Sequence, residues 1–341
     1  MSGSLRVAVV GATGLVGETM IRVLAERKFP VGQLFALASS RSLGRSVEHQ
    51  GRSLAVEELS DFDFSRADIG LFSAGSPISA QYAPLAAAAG CVVIDNTSEF
   101  RYQDDVPLVV PEVNAHAIAQ YRARGIIANP NCSTIQMLVA LKPIHDAVGI
   151  ERINVATYQS VSGAGKEALE ELAAQSAALL SGRPIDTPRA LAKQIAFNCV
   201  PHIDEFQDNG YTREEMKILW ETRKILEDDS IRVNATAVRV PVFYGHSEAV
   251  HIETRRKISA PEARALLQRA PGVTVLDERK AGGYPTAVTE AANHDTVYVG
   301  RIREDMSHDR GLDLWVVSDN VRKGAATNSI QIAEILAREY L

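Results

Sequence analysis

Val7-Ala8-Val9-Val10-Gly11-Ala12-Thr13-Gly14-Leu15-Val16-Gly17 is the stretch on which the fold turns. Four consecutive apolar residues suit a strand covered on both faces, as in a parallel sheet. Beyond the glycines, Leu15, Thr19, Ile21, Val23 and Leu24 form a helical pattern that ends near Lys28. A strand, a GxxGxxG turn and a helix in immediate succession form a dinucleotide cradle. Gly11 permits the tight turn, Gly14 lets backbone N–H groups approach a pyrophosphate, and Gly17 lets the helix pack on the strand. The positive end of the helix then faces the phosphates. The expected cofactor loop is therefore Gly11, Thr13, Gly14, Leu15, Val16 and Gly17.

Outward from this turn, apolar runs recur at Leu34–Leu37, Ile69–Ala74, Val92–Asp95, Leu108–Val110 and Gly125–Ala128. Their alternation with helical patterns predicts a doubly wound α/β domain, in which Leu108–Val110 is either one more covered strand or, with Pro111 beside it, an edge strand. An NAD site places Asp or Glu about 20 residues beyond the glycines. Here Leu37-Ala38-Ser39-Ser40-Arg41-Ser42 stands in that place, with one guanidinium and no carboxylate. Arg41 can pair with a 2′-phosphate, and Ser42 and its neighbours can add hydrogen bonds, so the expected cofactor is NADP.

After about residue 131 the pattern changes. Ile153–Ser160, Ile231–Val240 and Val250–Lys257 alternate apolar and polar residues, the signature of strands with one covered face. Thr212…Glu215 and Ser259…Glu262 are capping boxes that predict helices over 212–226 and 260–269. Ile330, Ala333, Leu336 and Tyr340 predict a last helix within Gly324–Tyr340. The class is α/β followed by α+β.

The chain has 341 residues and is 46% hydrophobic, enough for a substantial core in two domains. A formal charge of −6 leaves no electrostatic footprint for nucleic acid or an anionic membrane. No apolar run approaches the length of a membrane span, and no signal-peptide core precedes the first strand. Three cysteines, Cys91, Cys132 and Cys199, are too few and too far apart for a disulfide framework or a metal site. The expectation is a metal-free protein of the reducing cytoplasm. Cys91 and Cys199 sit among apolar neighbours and are expected to pack as small hydrophobes. Cys132 differs, because Asn131 can cap a helix that begins at the cysteine, and a helix N-terminus favours the thiolate. His49, His116 and His145 are read as structural hydrogen-bonding residues.

Four segments carry a resemblance: Gly11–Gly17, Asn96-Thr97-Ser98-Glu99-Phe100-Arg101, Asn129-Pro130-Asn131-Cys132-Ser133-Thr134 and Gly245-His246-Ser247. In this order they resemble the aspartate-semialdehyde dehydrogenase family, over essentially the whole chain. The resemblance implies a Rossmann-type NADP-binding domain over 1–131 with the C-terminal helix, 321–341, returning to it. It also implies a catalytic and dimerisation domain over 132–320 and a homodimer. The reaction implied is NADPH-dependent reductive dephosphorylation of L-4-aspartyl phosphate to L-aspartate 4-semialdehyde and phosphate.

By the same resemblance Cys132 is the nucleophile that forms a thioester, His246 the acid/base, and Gln159 the residue that orients the acyl group. Arg101 and Lys217 meet phosphate, Glu214 the substrate amino group, and Arg239 its carboxylate. Ser162 and Gly163 belong to a second cofactor loop, and Asn320 lies near the nicotinamide. One departure is Ala237, where many members carry cysteine; a packing effect is expected. N-acetyl-gamma-glutamyl-phosphate reductases share the cysteine chemistry but place glycine before that cysteine, where this chain has Asn131. A non-catalytic NADP-binding sensor is the remaining alternative, and it leaves the set of cations unexplained.

Overall fold

The computed structural model describes residues 4–341. The chain divides into two compact units: one runs up to Asn131 and also takes Ala325–Leu341, and the other is Cys132–Gly324.

The first unit opens with β1 (Leu5–Val10), α1 (Leu15–Glu26) and β2 (Val31–Ala38). A hairpin of β3 (Ser46–His49) and β4 (Arg52–Glu58) follows, then β5 (Ile69–Phe72), α2 (Ser76–Ala88) and β6 (Val92–Asp95). A one-turn α3 (Pro111–Asn114) and β7 (Ile126–Ala128) complete it. The strand order is β3-β4-β2-β1-β5-β6-β7. All pairings are parallel except the β3–β4 hairpin at the edge. The order reverses between β2 and β5 on either side of β1, the switch point where doubly wound sheets open a crevice. The core joins Val7, Val9, Ile94 and Ile127 to Met20 and Leu24 of α1. Ile330, Ala333 and Leu336 enter the same core from a helix, Thr327–Glu339, supplied by the far end of the chain.

Two sequence expectations change here. Leu108–Val110 is no edge strand, and only Leu108 makes a bridge, to Ala128. The Asn114 side chain takes the Val110 N–H and the Leu108 carbonyl, and Asn328 takes the Val109 carbonyl, so pairing to β7 stops at the Val109 N–H, which meets the Ala128 carbonyl. The last helix starts at Thr327, after a π-helical turn over Arg322–Ala326.

The second unit begins with α4 (Cys132–Val148) and β8 (Ile150–Gln159), followed by α5 (Lys166–Leu180) and α6 (Arg213–Leu226). Then come β9 (Arg232–Arg239), β10 (His246–Thr254), α7 (Ala260–Leu267), β11 (Val273–Val275), β12 (Val297–Glu304) and β13 (Gly311–Ser318). They form a mixed sheet in the order β11-β12-β13-β10-β8-β9. Both capping boxes are present, Thr212 with Glu215 and Ser259 with Glu262. β10 starts at His246 and ends at Thr254, four residues earlier at its start than the alternation predicts, because Ser247 and Glu248 are already paired with β8. The α4 side is covered, and Ile135, Leu138 and Leu141 are buried there. The Tyr158 and Trp315 rings meet in a tilted contact, 5.5 Å between centroids, and Tyr158 stays exposed. Among the described residues, no helix is long and apolar enough to cross a membrane.

Candidate active site

In the first unit, Gly11 takes a positive φ of 85° and lies close to the backbone of Ser73 and Ala74. A Cβ on Gly17 would sit 2.2 Å from the Gly11 carbonyl, so only glycine lets α1 approach the turn this closely. The turn opens onto a cavity of about 700 Å³ lined by Gly11, Thr13, Gly14, Arg41, Ser42 and Tyr82. Thr13 Oγ1 and Ser42 Oγ lie 3.2 Å apart, joining the phosphate turn to the end of β2. Arg41 is exposed in a single 3-10 turn. Arg45 lines the cavity as well, a second cation absent from the sequence reading. Leu15 and Val16 do not line it: Leu15 accepts from Thr19, and Val16 packs on the core. A bare backbone cradle and two guanidinium groups at the ribose end fit a dinucleotide bearing a 2′-phosphate. Arg101 also belongs to this unit, where it is buried and donates to the Asn96 carbonyl at 2.7 Å.

In the second unit, β8, α6, β9 and β10 bring distant residues together. The register Ser247↔Tyr158 sets His246 beside Gln159, whose Nε2 donates to Glu214 Oε1 at 3.1 Å. Glu214 Oε2 accepts from Lys217 Nζ at 3.1 Å, one helical turn along, and Lys217 also reaches Asp204 at 2.6 Å. Asp204 is a partner that no sequence signal indicated. Arg239 donates to the Ser160 carbonyl at 2.8 Å. Burial lowers its pKa, with Glu214 and then Cys132 opposing that shift. Gly163 gives both side chains room, since a Cβ there would sit 2.9 Å from the Arg239 guanidinium and 3.4 Å from the His246 ring.

His246 is fully buried, and its Nδ1 accepts the Ser160 N–H at 3.0 Å. A backbone amide has no alternative orientation, so the neutral ring carries its proton on Nε2. Gln159 Nε2, 3.3 Å from that nitrogen, is then a neighbour and not a donor to it. Burial first, and Arg239 second, push the His246 pKa down to about 3, so the ring is neutral at physiological pH. Asn320 Oδ1 accepts from Ser160 Oγ, Ser162 Oγ and the Gly245 N–H at 3.0, 3.1 and 3.0 Å, tying three loops together. Ser160 carries no motif of its own and escaped the sequence reading.

Cys132 opens α4 and is partly exposed. A Cβ on Gly324 would sit 2.7 Å from the Cys132 Cβ, so Gly324 gives it room. Cys91 is buried, and burial raises its pKa to about 12, an inert thiol. Cys199 is exposed on a loop, contrary to the expected packing, because its chain turns at Asn198, whose side chain takes the Cys199 N–H. Ala237 is fully buried on β9, and its N–H donates to Glu215 of the capping box. His145 accepts the Ile150 N–H at 3.2 Å, and His49 lies 3.4 Å from the Ile21 carbonyl.

A doubly wound dinucleotide unit joined to a mixed-sheet unit with a buried cluster of charged groups defines a two-domain oxidoreductase. Two family models match: "Semialdehyde dehydrogenase, NAD binding domain" over residues 6–121 and "Semialdehyde dehydrogenase, dimerisation domain" over 141–323. The aspartate-semialdehyde dehydrogenase of Legionella pneumophila is 64% identical over 341 residues, covering 100% of this chain and 98% of that protein. The crystal structure of aspartate semialdehyde dehydrogenase II from Vibrio cholerae complexed with ASA is 60% identical, with a TM-score of 0.98 and full coverage of both chains. The enzyme from Candida albicans with NADP is 26% identical over 98% of both chains, with a TM-score of 0.75. The chain belongs to the aspartate-semialdehyde dehydrogenase family.

Proposed function

We propose that the protein converts L-4-aspartyl phosphate to L-aspartate 4-semialdehyde and phosphate with NADPH, as a homodimer built on the second unit. The carrying observation is the cluster of buried Glu214, Arg239 and His246 with Gln159, joined by the half-buried Lys217 through its ion pair to Glu214. A substrate with an ammonium, a carboxylate and a phosphate needs one carboxylate and several cations, and this set supplies them. Cys132 Sγ attacks the acyl carbon, a C–S bond forms, and the bond to phosphate oxygen breaks. Arg101 and Lys217 hold the departing phosphate, Arg239 the α-carboxylate, and Glu214 the ammonium. Gln159 orients the thioester, and after its reduction the C–S bond breaks, returning the Cys132 thiolate and freeing the aldehyde. NADPH, when bound by the Gly11–Gly17 turn, Arg41, Ser42, Ser162, Gly163 and Asn320, supplies the hydride. His246 presents Nε2–H to the substrate oxygen, a donor held in place by Ser160.

The test is initial NADP reduction at saturating phosphate with aspartate semialdehyde, glutamate semialdehyde and N-acetylglutamate semialdehyde. Acetylation removes the charge that Glu214 pairs with and leaves a partly desolvated carboxylate. N-acetylated substrate is expected to be worse by about a hundredfold or more in kcat/KM. Preference for the acetylated compound would move the chain to the N-acetyl-gamma-glutamyl-phosphate reductases.

A further inference from the structure

Three asparagines of the first unit, to which the reaction assigns nothing, stand in one chain of hydrogen bonds. Asn328 and Asn129 are buried and Asn96 is half-buried. Asn328 lies in the first turn of the helix Thr327–Glu339, Asn129 follows β7, and Asn96 follows β6. Asn328 Nδ2 donates to the Val109 carbonyl at 3.0 Å and to Asn129 Oδ1 at 2.7 Å. Asn129 Nδ2 donates to Asn96 Oδ1 at 3.0 Å, and Asn96 Nδ2 donates to Ser329 Oγ at 2.8 Å. The chain of bonds leaves the helix at Asn328 and returns to it at Ser329.

One backbone acceptor orients every amide in it. The Val109 carbonyl can only accept, so the Asn328 atom that faces it is the nitrogen. Asn129 then presents its oxygen to Asn328 and its nitrogen to Asn96, and Asn96 presents its nitrogen to Ser329. Turning any one amide over would set like against like away from water. The backbone of Asn96 is held as well, since its N–H donates to the Phe72 carbonyl at 2.9 Å. Its own carbonyl is thereby aimed, and that carbonyl accepts from Arg101 Nη2 at 2.7 Å. A guanidinium with one nitrogen committed to a fixed carbonyl presents its planar fork to phosphate oxygens at a set angle.

We infer that Asn328, Ser329 and Asn129 are positioning residues for phosphate. The helix from the end of the chain grips the Asn96 amide from both sides, through Asn129 and through Ser329, and the Asn96 carbonyl passes that constraint to Arg101. This rests on the assignment of Arg101 to phosphate above.

The experiment measures NADP reduction by aspartate semialdehyde while inorganic phosphate is varied, with KM for phosphate and for NADP read separately. Asn328→Leu keeps the side-chain size and removes the amide; it is expected to raise KM for phosphate about tenfold and leave KM for NADP within about twofold. Ser329→Ala removes one oxygen and is expected to raise KM for phosphate about threefold. In an Arg101→Lys background, Asn328→Leu is expected to change KM for phosphate by less than about twofold, because its effect passes through the guanidinium. An unchanged KM for phosphate in both single variants, a KM for NADP that rises in step with it, or a full tenfold effect persisting without Arg101 overturns the inference. If Asn328→Leu fails to fold, Ser329→Ala alone and in the Arg101→Lys background decides. Arg101→Lys by itself is expected to raise KM for phosphate. If it does not, the assignment of Arg101 falls and the inference with it, whereas a raised value beside unaffected Asn328 and Ser329 variants overturns the inference alone.

Discussion

The cofactor cavity and the charged cluster are built on opposite plans. In the first unit the cradle is backbone, contributed by one short turn, and the selecting cation Arg41 stands exposed at its edge. In the second unit the working groups are side chains from several elements, and Gln159, Glu214, Arg239 and His246 are each 6% exposed or less. An exposed charge is screened by water and salt, so its removal shifts a preference. A buried group is held by its neighbours, and removing it leaves them unsatisfied, so its loss propagates.

Substitutions can break that contrast, and Cys132 gives the largest expected effect. Cys132→Ser should lower turnover by about 10⁴-fold or more in a steady-state assay, because a serine hydroxyl is barely ionised near neutrality. Substantial residual activity would remove the covalent route. His246→Gln should lower kcat by about 10²- to 10⁴-fold while acylated Cys132 remains detectable by mass spectrometry.

The same histidine ties the cluster to acid stability. In the folded chain His246 stays neutral down to about pH 3, whereas the unfolded chain takes up that proton near pH 6.5. Below about pH 6.5 the unfolded state therefore binds more protons, and the fold loses about 1.4 kcal/mol per pH unit until about pH 3. Urea midpoints at fixed protein concentration should fall less steeply with acid in His246→Gln than in wild type. Equal slopes would mean that the ring is not held neutral.

Smaller effects belong to the first unit. Gly17→Ala should cost about 1–3 kcal/mol in thermal or denaturant unfolding, because its Cβ meets the Gly11 carbonyl. Arg41→Ala should shift the NADP-over-NAD preference by about tenfold, read from kcat/KM with each cofactor. Equal losses for both cofactors would transfer the selection to Arg45, which lines the same cavity.

How much could be read in advance follows the same division. The Gly11–Gly17 turn and the two capping boxes are local, so their spacing in sequence is their spacing in space. The cluster arises from strand register, which places Gln159 against His246 across 87 positions and carries no local signature. The family resemblance named its main residues, but Ser160 and Asp204 act through contacts that only the folded chain creates. The β12 strand was hidden for another reason. A register shift between Gly300 and Arg303, with Arg301 at φ 53°, breaks the alternation by which a strand is read.

The helix Thr327–Glu339 sets the order in which a ribosome can deliver a finished nucleotide-binding unit. Ile330, Ala333 and Leu336 fill the same core as Val7 and Val9, and Glu334 pairs with Arg27 at 2.7 Å. The first strands to emerge must therefore wait, with part of their apolar surface uncovered, for residues made after the whole of the second unit. The intervening unit, Cys132–Gly324, has all its strands in hand sooner. For the nascent first unit, synthesis from the N-terminus reverses the usual sequence of domain completion, and the long interval of translation is a period of exposure to chaperones and to misassociation.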